Sequence, residues 1–241
     1  MTPATQLFYG LMAEFDQPEL LVMVGVETGS DTAAPVATGI YALLLREDKK
    51  GTPQLVVRST VLQRKIAPFG GKLWRPVVAT DVDFDKQDDL IMIESDSRTG
   101  AERYSIYRWG GKDFEQIPDH PANALLEFYA HLDSAARQSA DESTSGSQLT
   151  AAFGKLSPKL QGLQSVGSLR RRVDQAKGVE IENFKVLIKS ETSALIRVQY
   201  SLVGDSGGAR QFQGDYQVKR IGEQWQLDSE RLKAISAQNE K

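Results

Sequence analysis

Between Thr80 and Ile93 the chain reads T-D-V-D-F-D-K-Q-D-D-L-I-M-I. Asp81, Asp83, Asp85 and Asp89 fall at alternate positions, Gln87 fills the gap, and the apolar run Leu90 to Ile93 follows at once. Five aspartates within nine residues repel one another unless a cation lies between them or water screens them. Ca2+ suits such a stretch. It takes roughly six to eight oxygens, and alternating carboxylates in a tight loop, with a backbone carbonyl among them, supply these. The expected ligands are Asp81, Asp83, Asp85, the Gln87 carbonyl and Asp89. The competing reading is a solvated turn in which Lys86 is the internal counter-ion.

Little else in the chain has the composition of a reaction centre. There is no Cys, which removes disulfides, thiolate metal sites and cysteine nucleophiles together. No Gly-rich phosphate loop, H-E-x-x-H or G-x-S-x-G occurs. His120 and His131 are the only histidines. His120, between Asp119 and Pro121, reads as a surface imidazole in a linker. His131 falls beside the apolar stripe of a helix, where a half-buried structural role outweighs a general base. Arg170-Arg171-Arg172 reads as a solvated face balancing nearby acids, with anion binding as the alternative.

The elements that must position these residues come from the wider pattern. At 241 residues the chain suffices for one large or two ordinary domains. A hydrophobic content of 40%, a charged content of 25% and a net charge of -3 are those of a soluble globular protein with no basic face for nucleic acid. No apolar run approaches the ~20 residues of a membrane span. The opening M-T-P-A-T-Q-L-F-Y-G has neither the basic n-region nor the long apolar h-region of a signal peptide. A processed protein starting from an added Met1 would look the same.

The first half is punctuated by turns. Leu7 to Phe15 suits a short strand or helix. Strands are expected over Leu20–Val26, Thr38–Leu45, Gln54–Leu62 (with Leu55, Val57 and Ser59 on one face), Leu73–Ala79, Leu90–Glu94, Glu102–Trp109 and Phe114–Ile117. Glu27–Pro35, Arg46–Gly51, Pro68–Gly71, Ser95–Gly100 and Gly110–Asp113 turn the chain. Within this half, Val77 to Ile117 resembles one unit of the FG-GAP/VCBS type, the repeat of integrin-like propeller blades. The residues that carry the likeness are D-V-D-F-D-K-Q-D-D-L and, after the next strand, Y-S-I-Y-R-W-G-G. The resemblance implies Ca2+ on Asp81, Asp83, Asp85 and Asp89, with the Gln87 carbonyl between them. It also implies an exported or envelope setting. Where the family has a Gly that allows positive φ, this chain has Lys86, which would bring its own charge near the cation. With one copy of the unit and no room for a propeller, the expectation is a small antiparallel β-sandwich or rolled sheet over residues 1–118.

Ile117-Pro118-Asp119-His120-Pro121 interrupts both periodicities and marks the expected boundary. Asn123 is placed to cap a helix over Ala124–Arg137. Leu125, Tyr129, Leu132 and Ala136 form its apolar stripe, and Glu127 and Asp133 lie on the other side. Ser139–Ser147 reads as a polar loop. Leu149–Phe153, Pro158–Leu163 and Leu169–Gln175 read as helical turns. After Gly178 the period becomes two, with a bulge expected near Asn183-Phe184. Ile196, Val198, Tyr200 and Leu202 alternate with polar residues, as do Phe212, Gly214, Tyr216 and Val218. Gly204–Gly208 is a hairpin loop, Trp225 and Leu227 open the last strand, and the tail from Ala234 frays. L-L-E-F-Y-A-H-L-D, F-G-K-L-S-P-K-L and Y-Q-V-K-R-I-G-E-Q-W-Q-L resemble the cone-shaped fold of the nuclear-transport-factor-like, SnoaL-like and ketosteroid-isomerase-like proteins. The resemblance implies a cone-shaped α+β domain over residues 122–235, helices packed on a curved antiparallel sheet.

The class expected for the whole is therefore α+β. His131, Tyr200, Phe212, Tyr216 and Trp225 are the candidate pocket residues of the cone. Because the inward positions of its strands are apolar or phenolic, no catalytic residue is assigned. The expected function is a non-enzymatic binding or assembly protein of the bacterial cell envelope, or a secreted one. It would take a small apolar ligand or a protein partner through the cone, and a cytoplasmic setting is the alternative. Two rival readings stand beside it. One is an enzyme of the SnoaL or ketosteroid-isomerase type, with His131 as base and Tyr200 or Tyr216 as donor. The other is a structural subunit without a small ligand. The fold hosts all three, so only the site distinguishes them.

Overall fold

The computed structural model describes residues 3–10, 19–28, 36–62, 76–95, 102–204 and 209–235. Within them the chain divides into two compact units. The first is Met1–Gly100 with Ser105–Ile117, and the second is Pro118–Lys241 with Ala101–Tyr104. The class is α+β, with three antiparallel sheets.

The first unit carries β1 (Pro3–Gly10), β2 (Glu19–Thr28), β3 (Val36–Glu47), β4 (Pro53–Arg58), β5 (Pro76–Thr80), β6 (Asp89–Ser95), β7 (Glu102–Trp109) from Ser105 onward, and β8 (Phe114–Gln116). They form two four-stranded sheets in sequence order, β1-β2-β3-β4 and β5-β6-β7-β8. Leu21, Ala42 and Leu44 from the first sheet meet Leu90, Met92, Tyr107 and Phe114 from the second in one core, with Leu62 among them. Each of the Leu, Met and Phe side chains among them contributes about 1.5–3 kcal/mol by leaving water.

The β3–β4 turn follows from local chemistry. The Asp48 carboxylate accepts the N–H groups of Lys50 and Thr52 at 2.8 and 2.9 Å, and Gly51 takes φ 76°. Two expectations change here. The strand begun at Pro53 ends at Arg58, and residues 60–62 turn helical instead of extending to Leu62. Asp113 causes the change: its carboxylate accepts the Thr60 and Val61 N–H groups at 2.9 and 3.3 Å and the Ser59 hydroxyl. Leu55 does not share a buried face with Ser59. It is 59% exposed, because a bulge between Leu44 and Leu45 shifts the register of β4. The N-terminal segment is a strand, β1; residues 11–15 lie outside the described part, as do 29–35, 63–75, 96–101 and the tip of the loop after Gly204.

The second unit has α1 (Pro121–Arg137), α2 (Glu142–Gly154), α3 (Pro158–Gln161) and α4 (Val166–Val173), then β9 (Gly178–Lys189), β10 (Ser193–Val203), β11 (Ala209–Ile221) and β12 (Gln224–Ile235). The sheet is a plain antiparallel meander, β9-β10-β11-β12. One register shift sets Gln199 against Asn183 and Tyr200 against Ile181, so Glu182 is the extra residue of a bulge beside Asn183. Phe128, Tyr129 and Leu132 of α1 are buried with Ile196, Val198, Tyr200, Tyr216 and Val218 of the sheet.

Four helix expectations are corrected. Asn123 does not cap α1; His120 does, its Nδ1 accepting the Ala122 N–H at 3.2 Å, while Asn123 donates to the Pro118 carbonyl. His120 is accordingly buried, not a surface imidazole. Asp133 is buried rather than outward. It accepts the Val179 N–H at 2.7 Å and pairs with Arg137 at 2.6 Å, an approach that the missing side chain of Gly178 permits. Residues 142–147 are helical, not loop, because Asp141 caps α2 by accepting from Ser143 and Thr144.

Candidate functional site

The aspartate loop joins β5 to β6 and is closed by its own carboxylates. Asp81 accepts the N–H of Phe84 at 2.6 Å and of Lys86 at 3.1 Å. Asp83 accepts from Asp85, and Asp85 from Gln87 at 2.8 Å. Asp89, only 1% exposed, accepts the Val82 N–H at 2.9 Å. These bonds wind the chain so tightly that Phe84 and Lys86 take φ 69° and 74°. Lys86 therefore adopts the left-handed conformation that a Gly would take without strain.

One carboxylate oxygen each from Asp81, Asp83 and Asp89 converges to within 4.8 Å of the others. Asp85 is exposed and stands outside this triad, and the Gln87 backbone contributes an N–H to Asp85. Arg108 of β7 lies 3.7 Å from Asp83 and 3.6 Å from Glu115. The electrostatics follow from crowding. Burial pushes the Asp89 carboxyl up to about 7; the Val82 N–H opposes this, and Asp83, Asp85 and Asp81 add to it. Asp85, although exposed as a residue, is raised as well, first by the partial desolvation of its carboxyl and then by Asp83 and Asp81, against the pull of the Gln87 N–H and Arg108. A divalent cation among the three converging oxygens would reverse this penalty, and hard oxygen donors of this kind suit Ca2+.

The candidate pocket residues of the second unit fall in four different places. Tyr200 and Tyr216 are core residues: Tyr129 lies between them, with its hydroxyl 2.7 Å from that of Tyr216 and its ring 4.9 Å from that of Tyr200. Burial is the main reason that both tyrosines, and Tyr129, are held above the ordinary phenol range. Phe212 stacks on Tyr200 at 5.4 Å and lines a surface cavity of about 470 Å3 with Ala209, Arg210, Ala234 and Ile235. Trp225 lines a separate cleft of about 390 Å3. His131 binds Gln148 of α2, Nδ1 to Oε1 at 2.8 Å.

The three arginines also divide. Arg170 and Arg171 are exposed, whereas Arg172 is largely buried, pairs with Glu230 at 2.6 Å and lies 5.8 Å from the Phe128 ring centroid. Glu230 also accepts from Gln164 at 2.7 Å. The expectation of a wholly solvated basic face is thus corrected, and Glu230, far along the chain, is the partner that sequence spacing does not reveal. No protein-family model matches the chain, and no curated protein matches it in sequence.

Proposed function

We propose that the chain is a non-enzymatic binding or assembly protein whose first unit carries a structural Ca2+ loop and whose second unit, a cone-shaped α+β layer, presents the surface for a protein partner. The observation that carries the first part is the convergence of Asp81, Asp83 and Asp89 to within 4.8 Å in a loop where Lys86 already holds a left-handed turn. The ion would relieve the repulsion that raises Asp89 and hold the turn into β6. Such a loop, with few ligands, would bind at the weak end of the Ca2+ range, about 10⁻⁴–10⁻³ M, a level met outside the cytoplasm. A cell-envelope or secreted setting belongs to the same reading.

The packing of Tyr129, Tyr200 and Tyr216 favours binding on the surface of the second unit over chemistry inside it. The hydrogen bond of His131 to Gln148 supports the same reading. A second reading, a small apolar ligand, draws on the cavity beside Phe212, where Ala209, Ala234 and Ile235 offer an apolar lining. The test of the main reading is thermal melting of the full chain in millimolar Ca2+ and in chelator, with Asp83→Ala alongside. Ca2+ should raise the melting temperature of the wild type and not of the variant. Superimposable wild-type curves would leave the loop a solvated turn.

A further inference from the structure

The cleft beside Trp225 lies wholly on the second unit, among the start of α1, the end of α2 and the β11–β12 hairpin. Ala124, Ala151 and Gly154 line its helical side, and a Cβ built on Gly154 meets no atom within 4 Å. The segment after α2 is held in place by the sheet, Ser157 N–H to the Leu227 carbonyl at 2.8 Å and Leu227 N–H to the Lys155 carbonyl at 2.9 Å. On the hairpin side, the Trp225 indole N–H donates to Asp119 at 2.9 Å. The same carboxylate accepts from Arg220 at 3.0 Å, and the Arg220 guanidinium lies 5.7 Å from the indole centroid. This wall thus already seats one guanidinium between an aromatic face and a carboxylate.

The rest of the lining has an excess of acceptors. Glu127 and Glu223 contribute carboxylates, and Gln226 contributes an uncharged amide side chain. Lys155 is the one ammonium in the lining, and it pairs with Glu127. The Glu127 and Asp119 side chains are 41% and 56% exposed, so both carboxylates can be reached from solvent. A lysine is a point charge on a flexible stem, whereas a guanidinium offers a planar fork that fits a carboxylate with two bonds.

We propose that this cleft receives an arginine side chain presented by a protein partner. The incoming guanidinium takes the Glu127 carboxylate in exchange with Lys155, and Glu223 adds a second negative charge. Asp119 stays with Arg220 and Trp225 and keeps the wall in position. The inference rests on the binding-protein reading and is independent of the aspartate loop.

The test is a titration of the 15N-labelled full chain with N-acetyl-arginine amide, read at the Trp225 indole resonance, which Trp225→Phe assigns. The neutral isostere N-acetyl-citrulline amide is the control. The arginine probe should give a saturable shift, the citrulline probe none, and Glu127→Gln should weaken binding by about tenfold, as expected for one charge-assisted pair. Glu223→Gln, on the exposed hairpin, should weaken it less and tests the same point without touching a helix. No saturable shift, equal binding of citrulline, or unchanged binding in both variants overturns the proposal. Asp83→Ala should leave the titration as it is. A failure of the cleft therefore leaves the Ca2+ melting result standing, and a failure of the loop leaves the titration standing.

Discussion

Lys86 donates its backbone N–H to the Asp81 carboxylate at 3.1 Å and does so from φ 74°, a conformation that costs a residue with a side chain about 1–2 kcal/mol. The chain accepts that strain to close a ring of acceptors around the loop. It also separates the two readings of the loop, because a solvated turn has use for the Lys86 charge and a cation site has use only for its backbone.

Lys86→Gly should therefore be informative in either direction. Relief of the left-handed strain, set against the greater freedom of Gly in the unfolded chain, predicts a gain of about 1 kcal/mol or less in chelator. Removal of a positive charge predicts tighter Ca2+ binding as well. Urea unfolding in chelator and in Ca2+ measures both. A loss of stability in chelator would mean that the ammonium is the counter-ion of the loop.

Asp89 sets a pH dependence of unusual sign for a carboxylate. Its folded value near 7 lies above the ordinary carboxylate value of 3.8, so over that interval the folded state binds a proton that the unfolded state has released. Its contribution is most favourable below about 4 and is lost as pH rises towards 7, at about 1.4 kcal/mol per unit at most. Asp89→Asn keeps an acceptor for Val82 and should flatten this part of the stability profile, followed by urea midpoints between pH 4 and 7.5. A profile as steep in the variant as in the wild type would place the proton elsewhere.

Asp113 predicts the opposite slope. Burial raises its carboxyl, but the Ser59 hydroxyl, the Phe114 N–H, the Thr60 hydroxyl and the Val61 N–H together hold it below the usual value. A lowered group stabilises the fold above its unfolded value and loses that contribution as pH falls below about 4. Asp113→Ala should cost about 1–3 kcal/mol at neutral pH, since it leaves several donors without an acceptor. It should also remove the acid-sensitive part of the first unit's unfolding, measured by the fluorescence of Trp109, which packs against the same core.

Tyr129 and Tyr216 should behave as a coupled pair. Either Phe substitution strands the other hydroxyl in the core at a cost of about 1–3 kcal/mol. The double substitution should cost clearly less than the sum, because the two hydroxyls are partners of each other at 2.7 Å. A double-mutant cycle by denaturant unfolding checks this, and strict additivity would mean that each hydroxyl has its own further partner.

The elements legible in the sequence were those whose signal is local. The alternation of Ile196, Val198, Tyr200 and Leu202 with polar neighbours marks the buried face of β10, because a strand repeats every two residues whatever packs on it. The start of β9 at Gly178, the span of β7 and the bulge beside Asn183 were readable for the same reason, and so was the alternation of aspartates in the loop.

What the sequence left open depended on partners distant along the chain. Asp133 looks like a surface acid until Val179 and Arg137 are brought to it. Leu55 is exposed only because a bulge shifts β4 against β3. His120 is a linker residue in sequence and a buried helix cap in space, and Arg172 leaves its two neighbours in solvent because Glu230 reaches it from β12. Alternation in sequence likewise made Asp81, Asp83, Asp85 and Asp89 equivalent. The left-handed turns at Phe84 and Lys86 broke that equivalence: they bring Asp81, Asp83 and Asp89 together and leave Asp85 outside the group, a choice made by backbone winding and not by residue type.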